Sequence, residues 1–78
     1  MNCQRRDALR SLRADIKTIK ARLEEERDAE ENALSAMPES FQFSTRGDAM
    51  QDAISGMDEA IDELQTAIER ITEVVECE

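Results

Sequence analysis

Carboxylates are the most abundant reactive groups of this chain, with nineteen Asp and Glu against ten Lys and Arg and no His. Asp48 with Asp52, and Asp58 with Asp62, stand four residues apart, so each pair shares one face of a helix. Such pairs can hold a divalent cation weakly, but a solvated helix face accounts for the same spacing, and the loop pattern of an EF-hand is absent. Without His there is no Ser-His-Asp or Cys-His nucleophile and no Glu-x-x-His ligand set for a di-iron bundle. Neither Cys-x-x-Cys, a P-loop nor a Gly-rich dinucleotide loop occurs. These residues point to a protein that is not an enzyme and uses no cofactor or metal.

Three other groups are candidates for contact. Phe41 and Phe43 are the only aromatics, and they alternate with polar residues beside Arg46. Aromatic and Arg side chains are typical anchors at interfaces. On an extended segment both rings would share one side, where they either cap a core or bind a partner. Arg46 at a helix start opposes the macrodipole, which favours contact over helix stability as its role. Arg5, Arg6, Arg10 and Arg13 are candidate contacts for a small anion. Cys3 and Cys77 near the two ends are either free thiols or a disulfide.

The elements that position these residues follow from composition and periodicity. Two Gly and one Pro among 78 residues are too few for an all-β chain, and 40% hydrophobic residues argue against disorder. Leu9, Leu12, Ile16, Ile19 and Leu23 step by 3, 4, 3, 4, the spacing of a coiled-coil seam. Met50, Ile54, Met57, Ile61, Leu64, Ile68, Ile71 and Val75 hold the same alternation without a fault. Pro38 separates the two series. The spacing predicts an all-α chain with a single domain over 1–78, helices at about 4–36 and 45–76 and a turn at 37–44. Either Ser44 or Thr45, the latter with Asp48, would cap the second helix.

Helices of equal length with a short connection form an antiparallel, coiled-coil-like hairpin. Folding at about residue 40 brings positions summing to about 80 face to face, so Lys17 falls near Glu63 and Cys3 near Cys77. Charge agrees with this pairing: residues 1–23 carry a net +5, 24–31 a net −5 and 32–78 a net −9. Continuing the first seam beyond Leu23 places Glu26 and Glu30 in it before Ala33 and Met37 resume, so residues 24–52 either splay into an acidic mouth or turn these acids to water.

On the second helix Ala53, Ala60, Ala67 and Val74 recur every seven residues beside the seam. With Ile54, Ile61 and Ile68 they make an apolar face too wide for one neighbouring helix to cover. Self-association as a homodimer or higher oligomer is therefore expected, two hairpins forming a four-helix bundle whose small Ala side chains allow second helix to approach second helix across a two-fold axis.

The run from Glu30 onward, with Pro38, Glu39, Gln42, Ser44, Arg46 and Gly47 at its turn and EAI-like heptads after it, resembles small acidic helical-hairpin proteins of bacteria and their phages. The resemblance covers about residues 24–71; it implies a phage or mobile-element setting and assigns no catalytic residue.

Acidity disfavours direct binding of duplex nucleic acid. No apolar run suits a signal peptide or membrane span, so a cytoplasmic protein is expected, in the host bacterium if phage-encoded. The function expected is a protein-interaction module, an inhibitor of a host or defence protein. The alternatives are an oligomeric sponge for a small anionic nucleotide, a structural oligomerisation piece and a DNA mimic.

Overall fold

A computed structural model describes residues 2–76. It contains α1 (Cys3–Ala36), α2 (Glu39–Gln42) and α3 (Thr45–Glu76), and no strand among the described residues. The two long helices pack against each other as a hairpin. At a rise of about 1.5 Å per residue each is roughly 50 Å long, within a molecule whose Cα extents are 58 × 14 × 12 Å.

Local chemistry sets the ends. Asn2 caps α1, its side chain accepting from the Arg5 N–H at 2.8 Å. At the other end Met37 is extended, with φ −72° and ψ 144°, because the residue before a proline avoids helical geometry. Pro38 then opens the single turn of α2, its carbonyl accepting from Phe41 N–H at 2.8 Å and Gln42 N–H at 3.2 Å. Ser44, rather than Thr45, caps α3: its hydroxyl accepts from the Gly47 N–H at 3.3 Å and its carbonyl from the Asp48 N–H at 2.9 Å.

The packing of α3 follows its apolar series. Gly47, Ile54, Ile61, Ile68 and Val75 form one column of the seam, and Met50, Met57, Leu64 and Ile71 the other; all are at least half-buried. In heptad letters these are a and d, with Ala53, Ala60, Ala67 and Val74 at g.

The seam of α1 differs from the one its apolar series predicts. Leu9, Ile16, Leu23, Glu30 and Met37 face α3 at d, but the a column beside them is Arg6, Arg13, Lys20, Arg27 and Leu34. Leu12 and Ile19, expected in the seam, are 52% and 55% exposed at g. Glu26 and Ala33 share that exposed column, while Glu30 stays half-buried. Polar contacts accompany the rotation. Arg13 Nη1 donates to Thr72 Oγ1 at 2.9 Å and Arg27 Nε to Asp58 Oδ1 at 2.8 Å, bonds that run from the a column of α1 to the polar e column of α3. Long Arg and Lys stems cover apolar surface while their charged ends stay wet.

These two contacts also correct the register. Residues 13 and 72, and 27 and 58, face each other, so facing positions sum to 85 rather than about 80. The connection is the expected 37–44, but α2 packs against the first turn of α3 at Gly47, so α3 begins to face α1 only beyond that turn. Lys17 and Glu63 accordingly make no ion pair among the described residues. Of the two cysteines expected to lie near each other, Cys3 is exposed with a free thiol, and Cys77 lies outside the described residues.

Candidate functional site at the turn and along one face

The turn is built to hold an open cleft. Gln42 Nε2 donates to the Met37 carbonyl at 2.9 Å, and the Ser44 hydroxyl donates to the Phe41 carbonyl, so α2 is fastened to both long helices. Gly47 makes the close approach possible. A Cβ there would lie 2.6 Å from the Gln42 carbonyl carbon and 2.8 Å from the Phe41 carbonyl oxygen, and no side chain fits. The cleft that results is about 400 Å³ and is lined by Ala33, Met37, Phe41, Ser44, Arg46 and Met50.

Phe41 and Phe43 do not share one side, because residues 39–42 form a helical turn and not an extended segment. Phe41 borders the cleft and is 57% exposed; Phe43 stands outside it and is 77% exposed. Neither ring closes the hairpin core. Arg46 is exposed beside Phe41 and makes no ion pair among the described residues. A cation, an exposed ring and two Met side chains around an open hollow can seat an apolar residue flanked by an acid.

The basic residues near the start of α1 do not converge. Arg10 pairs with Asp7 at 3.0 Å, and Arg13 is held by Thr72. Arg6 is half-buried on the seam, whereas Arg5 is exposed one column away. None of the four borders the turn cleft, or a second hollow of about 310 Å³ lined by Ile19, Arg22, Leu23, Glu25 and Glu26. No cluster of three metal-ligating residues occurs among the described residues, and no helix there is long and apolar enough to cross a membrane.

The expected oligomer-interface residues divide. Ile54, Ile61 and Ile68 are seam residues within the hairpin itself, with Ile68 buried. Ala60 and Ala67 are half-buried at the seam's edge, whereas Ala53 is exposed and Val74 is 46% exposed. No family model, curated protein or solved structure matches this chain. The site must therefore be read from its own chemistry.

What sequence reading missed is the basic column of α1. Its signal was present: Arg6, Arg13, Lys20 and Arg27 recur every seven residues. Arg27 is its best-connected member, bonding Asp58 across the hairpin and Asp28 and Glu31 along its own helix. The hydrogen bond to Asp58 foremost, then the nearby acids, raise the Arg27 pKa above its ordinary value. The charge that joins the two helices is present at any working pH.

Proposed function

We propose that this chain is a small non-enzymatic protein-interaction module whose turn end engages another protein. The observation that supports this reading is the cleft at residues 33–50, where Phe41 and Arg46 border an unfilled hollow and Phe43 projects beside it. An anchor of this kind needs a partner with an apolar side chain for the hollow and a carboxylate for Arg46. The resemblance of the turn to acidic hairpin proteins of bacteria and phages supports the reading that such a module works in the cytoplasm of an infected host, as an inhibitor of a host or defence protein.

The sponge reading is weaker because Arg5, Arg6, Arg10 and Arg13 do not border either hollow. A nucleotide site needs convergent cations. The plain oligomerisation reading rests on the exposed apolar face and is compatible with a working turn.

The test is affinity capture from host lysate with the intact chain and with Phe41→Ala, Phe43→Ala and Arg46→Ala. A protein held by the intact chain is expected to fall at least tenfold with Phe41→Ala or Arg46→Ala, a loss typical of an interface anchor. Retention of every captured protein by all three variants would remove the turn from consideration as the contact.

A further inference from the structure

The long face that carries the g columns is the least charged side of an otherwise acidic molecule. In α1 it presents Leu12, Ile19, Glu26 and Ala33; level with them stand Val74, Ala67, Ala60 and Ala53 of α3. The c columns border these: Ala8, Asp15, Arg22 and Ala29 on α1, and Ala49, Gly56, Glu63 and Arg70 on α3. Eight of the nine acids of α3 lie on its other sides, Glu63 being the exception. With Arg5 and Arg46 included, the face has four cations and three anions while the whole chain is at −9. Two copies can meet here without the repulsion that any other pairing of sides would bring.

We propose that this face binds a second copy of the chain about a two-fold axis parallel to the hairpin, laying α1 on α3 of the partner. Such an axis conserves level along the molecule. Each α1 residue then meets, in the partner, the α3 residue that stands beside it in its own hairpin. Leu12 packs on the partner's Val74 and Ile19 on the partner's Ala67. The borders pair by charge: Asp15 meets the partner's Arg70 and Arg22 meets the partner's Glu63, since both pairs sum to 85, the hairpin's own register. Ala29 falls against the partner's Gly56, where an added Cβ meets nothing within 4 Å beyond its chain neighbours and the backbone of its own helix turn. Every pair is made twice, as an isologous contact requires.

Area agrees with a second copy. A face of 58 Å by 14 Å is about 800 Å², the area each partner contributes to a standard stable interface. The exposed surface of the single hairpin is 5762 Å², roughly 1,000 Å² above the value for a compact monomer of 8.8 kDa. The rotation of α1 also gains a purpose. Its apolar residues span d and g, which points them between two neighbouring helices and not at one.

A competing two-fold runs across the hairpin and lays like helix on like helix, end to end. It also pairs charges, Asp15 with the partner's Arg22 and Glu63 with the partner's Arg70. It places Leu12 near the partner's Glu26, however, and leaves both turn ends overhanging. The parallel axis covers the full face and is preferred.

The two arrangements respond oppositely to charge reversal. Sedimentation equilibrium of the full chain is expected to give two copies. R22E and E63R are each expected to weaken the dimer by about tenfold, and R22E/E63R to recover it to within about threefold. Residues 22 and 63 are exposed in the hairpin, and circular dichroism should show unchanged helix in all variants. A mass other than two copies, single variants that leave the dimer constant unchanged, or a double variant weaker than both singles would overturn the proposal, the last by favouring the competing axis. The inference does not rest on the turn: loss of lysate capture in the turn variants and loss of dimer in the charge variants are separate readouts.

Discussion

Gly47 and Gly56 show how one residue type serves opposite ends. Gly47 lies where α2 crosses the first turn of α3, and an added methyl meets backbone that cannot move without unfastening the turn. Gly47→Ala is expected to lower stability by about 1–3 kcal/mol, as for overpacking. At Gly56 the single hairpin leaves open space, so in the monomer Gly56→Ala removes only the backbone entropy of glycine in a helix. It is expected to raise stability by about 0.5–1 kcal/mol. Urea unfolding of both variants at a chain concentration low enough to keep them monomeric checks the pair, and equal effects of the same sign would contradict the packing described. Arg27 belongs to this scale too. It takes a seam position because its stem covers the neighbouring apolar side chains while its guanidinium reaches Asp58.

Among the elements, α3 carries the regular seam and α1 adapts to it. The eight-member apolar series of α3 fixes which of its faces is buried, because no rotation hides the stripe better. The five apolar residues of α1 leave two choices, and polar partners decide between them. The start of α3 was likewise ambiguous between Ser44 and Thr45, and the hydroxyl of Ser44 holds the Gly47 N–H. Ser44→Ala is therefore expected to cost about 1 kcal/mol, while Thr45→Ala stays within about 0.5 kcal/mol. Thermal unfolding followed at 222 nm measures both, and a larger loss at Thr45 would move the cap. Ser44 also tethers α2, so its loss should loosen the cleft at the turn.

For the whole molecule, elongation is the dominant fact. Its radius of gyration is 17.6 Å, where a compact chain of this length has about 11–12 Å. Ile68 and Val75 are the only buried hydrophobic side chains among the described residues. So thin a core leaves a chain of this length marginal by itself, and stability is expected to come in part from association. The midpoint of thermal unfolding should then rise with chain concentration. Melts over a hundredfold range of concentration check this, and a constant midpoint would mean that the hairpin is stable alone. In the parallel arrangement both turn clefts lie at the same end of the bundle, so one elongated partner could engage two sites at once.

Sequence alone determined two long helices, the break at Pro38, the buried face of α3 and the absence of His-based chemistry, because each follows from local spacing or residue type. It also carried the sevenfold recurrence of Arg6, Arg13, Lys20 and Arg27. It could not rank that recurrence against Leu12 and Ile19, since both columns border the same d residues. Only the tertiary structure decided between them: with α1 as it packs, Arg13 and Arg27 reach Thr72 and Asp58, groups distant in sequence that the register of the hairpin brings within hydrogen-bond reach. The helical turn that separates Phe41 from Phe43 was hidden for a related reason: four residues are too few for periodicity to speak, and their conformation depends on the backbone of Gly47 approaching from the next helix.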